Sequence, residues 1–514
     1  MKKLILATLI SFLSLPSLAQ PFGPDSTFGT NGRLLYTVYG GTVERNFGIV
    51  AQPDNKIVVA GLAKNPSSGF FELCISRYNS TGTIDNTFGV NGVRKVSLGN
   101  QGAIGGQTPK LKIDQEGRII AANTGYSPGG SQDIFVCRLD TSGNLDNTFN
   151  STGSLFVDMT GSNTWPDIAN ALDVDAAGNI WLCGATRNGG SPLDNNFAVV
   201  KVRSDGTLDT SFDQDGKKLY NPGASSEFGR GIVLQQDGKV VVGGITSGNM
   251  YVFRIDSTGV IDPTFNNVGY RSIAIGSGCE MFDMIIDSQQ RIIVGGQASS
   301  SAAALARILP NGTLDATFNT TGTFNQSIGN SIGNCTDLAL LAGDKILLGG
   351  SSNRVGTGDD FYAAILTEAG KLDTSFNGTG FCINPVASGS VKDVCNGVAM
   401  LPDGRIILSG TAEFSSAVNE DMALLMLKPL PVTTGIQQIE SAVFGGFYPN
   451  PANSSLNFIC RNAQSLVLIN AEGRIIDQFT TVAGLNTISV AEYAKGIYFL
   501  KDVNSDAALK FIKE

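Results

Sequence analysis

The sequence predicts an all-β protein: a seven-bladed β-propeller closed by its N-terminal strand, followed by a small C-terminal β-sandwich. Three observations predict it. An Asp-x-Ser/Thr-Phe tetrapeptide with a following Gly recurs seven times, at Asp25 (DSTFGTNG), Asp85 (DNTFGVNG), Asp146 (DNTFNSTG), Asp209 (DTSFDQDG), Asp262 (DPTFNNVG), Asp315 (DATFNTTG) and Asp373 (DTSFNGTG). The spacings of 60, 61, 63, 53, 53 and 58 residues describe an array of one supersecondary unit that cannot bury its apolar face alone. Each unit also carries two apolar runs joined by a polar turn, as in IVAQPDNKIVVAG (49–61), IVLQQDGKVVVGG (232–244) and VAMLPDGRIILSG (398–410). Finally, the two ends of the array complement each other.

The elements follow in chain order. Residues 1–19 read as a signal peptide: Lys2 and Lys3, an apolar stretch from Leu4 to Leu15, and a small-x-small cleavage site at Ser17-Leu18-Ala19. That apolar run is too short to span a bilayer, and no later segment reaches transmembrane length. The array, expected over 20–428, enters at Asp25 with the tetrapeptide turn and one strand, Arg33 to Val38, with no hairpin before it. In each unit the hairpin gives strands one and two. The second is apolar at nearly every position, as suits a strand covered on both faces. A third strand surrounds a recurring basic position: Arg77, Arg138, Lys201, Arg254 and Arg307. A Gly-x-Leu/Ile-Asp turn and the tetrapeptide lead to a more polar fourth strand, for instance Val93 to Leu98 or Tyr270 to Ile275. Four antiparallel strands, radially repeated, make a propeller blade. The array leaves with a hairpin and third strand, Ala423 to Leu427, and no tetrapeptide. The N-terminal strand is therefore left over to complete the seventh blade, so that no edge stays unpaired. The recurring Asp is expected to accept turn N–H groups and the Phe to fill the gap between blades.

Composition narrows the function classes. Charged residues make up 16% of the chain and glycines number 63, a turn-rich β profile. The net charge of −9 and the lack of any basic run speak against nucleic acid as a partner. There is no histidine, which removes Ser-His-Asp and Cys-His nucleophiles and His-ligated metals. The eight cysteines lack CxxC spacing, so no zinc site is read. Cys74, Cys137 and Cys183 fall in strand patterns as core thiols. Cys279, Cys335, Cys382 and Cys395 lie near strand ends, where disulfides are possible, Cys382 with Cys395 being the most local pair.

The GxLDxTFGxxG pattern with its DGKIVVAG hairpin, over about residues 22–428, resembles the delta-60 repeat family. That resemblance implies a propeller-like extracellular bacterial domain. After a Pro-punctuated linker at 429–443, residues 444–514 read as short alternating strands at 455–460, 465–470, 474–479, 486–490, 496–501 and 508–512. This segment is similar to the type A C-terminal sorting domain of type IX secretion cargo, through Tyr448-Pro449-Asn450-Pro451, NAEGRII (470–476), KGIYFLK (495–501) and the closing Lys510-Phe511-Ile512-Lys513. The resemblance implies type IX secretion machinery as a partner, with delivery to the outer-membrane surface or the medium.

Function is expected on the loops. In a four-stranded meander the 2–3 and 4–1 loops share one face. From the second-strand Gly to the third-strand basic position or its equivalent the distances are 16, 16, 17, 10, 11, 15 and 16 residues, so units four and five are low and the others tall. Variable loops on a rigid scaffold are the default place for binding. Trp165 and Tyr126 are the candidate ligand-binding aromatics, for a surface glycan or a protein of unassigned identity. Asp158, Asp167, Asp194, Asp359 and Asp360 are the carboxylates from which an alternative, a glycan-active hydrolase or lyase, could draw an acid/base pair. No catalytic set, metal set or cofactor is assigned; DQDG at Asp213–Gly216 approaches a calcium loop but lacks its alternating acidic ligands.

Overall fold

The computed structural model describes residues 19–40, 43–100, 109–161, 165–187, 195–223, 227–298, 302–329, 333–354, 358–387, 390–414, 420–430, 444–503 and 508–514. The expected signal peptide (but for Ala19) and nearly all of the expected linker lie outside these residues. The chain divides into two compact bodies, Met1–Leu430 and Pro431–Glu514.

The first body is a succession of antiparallel four-stranded sheets. Unit one is built from Glu44–Ala51, Ile57–Lys64, Phe71–Tyr78 and Val93–Ser97, paired in that order. Unit two uses Lys110–Ile113, Ile119–Tyr126, Gln132–Leu139 and Ser154–Val157; unit three uses Asp167–Val174, Ile180–Arg187, Asn195–Val202 and Lys217–Tyr220. Unit four comprises Glu227–Leu234, Val240–Thr246, Asn249–Ile255 and Tyr270–Ile273, and unit five Cys279–Ile286, Ile292–Ala298, Ala302–Ile308 and Thr323–Gln326. The strands of units six and seven join one nine-stranded sheet through a single parallel bridge, Asp359 to Lys392. Unit six is Gly333–Leu341, Lys345–Arg354, Gly358–Leu366 and Phe381–Asn384; unit seven supplies Ser390–Met400, Ile406–Phe414 and Glu420–Pro429. Against the last of these lie Arg33–Tyr36, with Arg33 opposite Leu425 and Tyr36 opposite Met422, and Phe22–Pro24. The N-terminal strand stops at Tyr36, short of the expected Val38.

Each tetrapeptide Phe is buried in a different apolar cluster. Phe88 sits with residues of units one and two, Phe149 with two and three, Phe212 with three and four. Phe265, Phe318 and Phe376 continue the series, and Phe28 packs with Ile57 and Val59 of unit one and Leu424 and Met426 of unit seven. At roughly 2–3 kcal/mol of transfer free energy per buried Phe, these plugs are a large part of what holds neighbours together. The Gly that ends each motif is required by geometry. Gly92 has φ +88°, and a Cβ there would come within 2.1 Å of the Ile84 side chain.

The charged members of the repeat form a matching brace. Asp85 accepts the Thr87 N–H (3.1 Å) and hydroxyl (2.6 Å) on one oxygen and the Arg77 guanidinium (2.8 Å) on the other. Arg77 also donates to the Thr141 carbonyl of unit two (2.7 Å) and lies over the Phe88 ring at 4.7 Å. Arg138 with Asp146, Arg254 with Asp262 and Arg307 with Asp315 repeat the arrangement, each bonding a carbonyl of the next unit. Lys201 pairs with Asp209 at 2.9 Å in unit three. Unit six has no basic residue on its third strand, and Lys345 of the second reaches Asp373 (2.7 Å); in unit seven Lys428 of the third strand and Arg405, just before the second, both reach Asp25 (2.7 and 3.1 Å), and Arg405 also donates to the Ser80 carbonyl of unit one (2.7 Å).

The first strands carry a feature absent from the sequence reading. Except in unit two, each shows a one-residue register shift, and that of unit seven shows two. The displaced side chains bridge units: Asn170 donates to the Gly229 carbonyl (2.8 Å), Thr336 to that of Cys395 (2.9 Å) and Asn396 to that of Asn46 (2.8 Å). All eight cysteines are free thiols. Cys335 and Cys395 lie inside first strands, beside these shifts, rather than at strand ends, and both are fully buried.

The second body is a sandwich of two sheets. One orders Phe444–Tyr448, Ser455–Cys460 and Gly484–Ser489; the other orders Ile475–Thr480, Ser465–Asn470, Gly496–Asp502 and Ala508–Lys513. Leu456, Phe458, Leu466, Leu468, Leu500 and Phe511 form its core.

Candidate functional site

The repeated polar residues are occupied in braces, so chemistry must come from residues that do not repeat. Those lie at the end of the sheets where second strands finish and first strands begin. There, Asp133 opens the third strand of unit two, Asp158 stands in the connection to unit three, and Asp167 opens the next first strand. One carboxylate oxygen from each lies within 4.8 Å of the others. Asp133 and Asp167 are buried, and Asp158 is half-buried.

Local bonds hold the cluster. Asp167 accepts the Met159 N–H at 2.7 Å and the Thr186 hydroxyl. Asp158 caps the Thr160 and Gly161 amides at 2.9 and 2.7 Å, and Asp133 takes the Ser131 hydroxyl at 2.6 Å. Burial pushes the Asp167 carboxyl up to about 6, helped by the charges of Asp158 and Asp133 and opposed by the Met159 and Thr186 bonds. By donor type this is a set a hard cation could use. The same bonds equally explain it as a brace for the connection between units.

Trp165 precedes Asp167 and is half-buried; the Arg187 guanidinium, at the end of the second strand of unit three, lies over its ring at 5.2 Å. Two of the carboxylates chosen from sequence, Asp158 and Asp167, therefore come together beside Trp165. Asp194 lies outside the described residues. Asp359 and Asp360 stand on the third strand of unit six, far along the array, with Asp360 buried. Tyr126 is the last residue of its strand rather than part of the loop, and its hydroxyl takes an N–H of Gln132 at 3.2 Å.

A second polar group lines the axis. Phe47 to Val50, Lys110 to Lys112, Gly231, Asp283 and Asp337 border a cavity of about 170 Å³ formed by first strands. Lys112 lies 3.3 Å from Asp173 and Lys110 4.0 Å from Asp337. Asp173, Asp283 and Asp337 each accept an N–H of a following unit, from Leu234 (3.2 Å), Leu338 (3.0 Å) and Val398 (2.8 Å). Burial and the neighbouring Asp283 push Asp337 upward. Sequence reasoning missed Asp133, Arg187 and these axial groups. The available signal was an Asp inside an otherwise apolar first strand, as in MFDMII and TDLALL.

Six segments, 52–88, 116–149, 183–212, 235–265, 291–318 and 344–376, match the model of a domain of unknown function (DUF5122) β-propeller, and residues 446–514 match that of a secretion system C-terminal sorting domain. The chain carries a DUF5122 β-propeller region and a type IX sorting domain. The sorting domain implies export, to the outer-membrane surface or beyond. Among the described residues no helix is long and apolar enough to cross a membrane. No curated protein matches. Solved structures similar to the chain include a catalytically inactive virginiamycin B lyase from Staphylococcus aureus (11% identity, 76% of this chain, 98% of that chain, TM-score 0.44). A PL25 ulvan lyase is similar at 12% identity over 74% of this chain and 94% of that one, TM-score 0.42. An acylaminoacyl peptidase from Pyrococcus horikoshii shows 9% identity over 82% and 58%, TM-score 0.39.

Proposed function

We propose that this protein is an exported surface or secreted binding and adhesion module: a signal peptide (1–19), a seven-bladed propeller of delta-60 repeats closed by the N-terminal strand (20–428), a linker (429–443) and the sorting domain (444–514). The observation that carries the reading is the division of labour among polar residues. The repeated Arg, Asp and Thr are spent on braces between units, while Trp165, Arg187 and Tyr126 do not repeat and stand at the end bearing the variable loops. Pairing of Arg33–Tyr36 with Glu420–Pro429 supports closure. A screen of the protein against glycans and surface proteins tests the reading. Trp165→Ala is expected to weaken the interaction by roughly 1–3 kcal/mol with little change in melting temperature; unchanged affinity removes Trp165 from the site. Truncation before residue 444 is expected to leave the protein in the periplasm, and surface display of that variant refutes the sorting role.

A second reading, a carboxylate-based glycan hydrolase or lyase, draws on the proximity of Asp158 to Asp167 and the raised carboxyl of Asp167. Hydrolysis or elimination lost in Asp158→Asn, with binding retained, would favour it over simple adhesion.

A further inference from the structure

A cleft in the DUF5122 region lies not beside the tall loops but at the low fourth unit. It encloses about 620 Å³ between the fourth strand of unit three and the outer strands of unit four, a size suited to a small ligand. Its openness follows from the sequence. The second and third strands of unit four are joined by two residues only, Ser247 (φ +50°) and Gly248 (φ +73°), the tight turn that suits a twisted hairpin. Among the described residues no long loop rises there to cover the gap. Opposite Tyr251 the fourth strand offers only Ser272.

We propose that this cleft binds a neutral saccharide, with Tyr270 as its stacking platform. Three rings lie in a row from the core outward: Phe197 to Tyr251 at 6.0 Å and 28°, and Tyr251 to Tyr270 at 5.3 Å and 23°. Such a stack fixes the outer ring's plane, and Tyr270 is 44% exposed. A pyranose presents C–H bonds on its faces and hydroxyls on its rim. The first suit an aromatic face, and the second suit uncharged amides and hydroxyls. Asn221, Asn249, Ser247 and Thr246 supply those, and among the described residues no Asp, Glu, Lys or Arg lines the cleft. A polyanion would find no cation there, and a cationic ligand no carboxylate. The proposal rests on the reading of the propeller as a binder but moves the ligand away from Trp165.

Affinity electrophoresis of the full-length protein through gels containing soluble neutral polysaccharides (laminarin, glucomannan, xyloglucan) or polyanions (alginate, polygalacturonate) tests it. Retardation is expected on a neutral polymer and not on the polyanions. Tyr270→Ala should weaken it at least tenfold, Tyr270→Phe less than threefold, and Ser272→Trp, which fills the cleft from an exposed strand position, should abolish it. Val90→Ala, at an exposed position in another unit, should leave it unchanged. Retardation lost in Trp165→Ala but kept in Tyr270→Ala and Ser272→Trp overturns the cleft and leaves the binding reading standing. Retardation by polyanions alone, or by no polymer, also overturns the cleft; the binding reading falls with it only when the screen for protein ligands is empty too.

Discussion

A carboxylate's neighbours decide whether its burial stabilises or strains the fold, and this chain shows both outcomes. In the tetrapeptide turns, burial of the Asp opposes ionisation, yet the adjacent Thr or Ser and basic residue win: Asp25, Asp85, Asp209 and Asp262 are held well below the usual range. Their contribution is present above the unfolded value and is lost as pH falls through the folded one. Asp167 runs the other way. With a folded value near 6 it binds more protons folded than unfolded between about pH 4 and 6, so stability falls as pH rises through that window. Asp167→Asn keeps an acceptor for Met159 without the charge. It is expected to raise stability at pH 7.5 by roughly 1–3 kcal/mol while changing it little at pH 4. Thermal melts at both pH values check this; an equal shift at both would sink the assignment. The turn role of the motif Asp was legible because DxTF leaves a Thr two residues on. The basic position was also legible as a repeat, but its partner was not, because seven residues, most of them in turns, separate Arg77 from Asp85.

At the level of the element, hairpins were legible because apolar runs and Asp-Gly or Asp-Asn turns coincide. Strand ends were less so: fourth strands end at Ser97 and Ile273, before the expected Leu98 and Ile275, where pairing with the third strand runs out. The register shifts in first strands left no mark, since a displaced residue changes facing without changing composition. Asn170, Thr336 and Asn396 are polar residues in such strands, and only the three-dimensional register turns them into bridges. The brace between units makes a sharper forecast. Arg138 is 2% exposed and bonds Asp146, Thr148 and the Ser204 carbonyl. Arg138→Ala leaves the half-buried Asp146 carboxylate without its cation and should cost about 2–4 kcal/mol in denaturant unfolding. Arg138→Lys should cost less than half as much, because unit three already works with Lys201 on Asp209. Equal losses for the two variants would show that shape, rather than charge, sets the value of the brace.

Over the whole molecule the long-range pairing of the two ends was readable because the array starts and stops within a unit. What the sequence concealed is how Gln20 completes the pattern. Amides just after the motif Phe donate to a turn carbonyl of the next unit, as Gly29 does to Thr81 and Gly89 to Ser142, both within 2.9 Å. Unit seven has no such turn, and Asn377 donates instead to Gln20 (3.0 Å), while Phe22 packs on Phe376. Deleting residues 20–40 should therefore remove Phe28, the Asp25 pairs and two ladders together, costing several kcal/mol and exposing an apolar edge that aggregates. Light scattering and unfolding measure this; a monomeric, equally stable deletion variant would contradict it. The low-unit cleft and the Asp133–Asp158–Asp167 cluster were not legible as sites, since each is a gap or meeting between units rather than a motif within one.

The position of Glu420–Pro429 has a mechanical consequence. It is the last strand before the C-terminal end of the first body, and it is hydrogen-bonded along both edges, to Ile406–Phe414 on one side and to Arg33–Tyr36 and Phe22–Pro24 on the other. Tension entering from the C-terminal side travels along this strand's own axis. Both ladders then share the load in shear, their bonds stretching together instead of opening one after another. Drag on a module held from its C-terminal side would load a strand clamped along both edges, and residues 22–36 would act as a buckle for it.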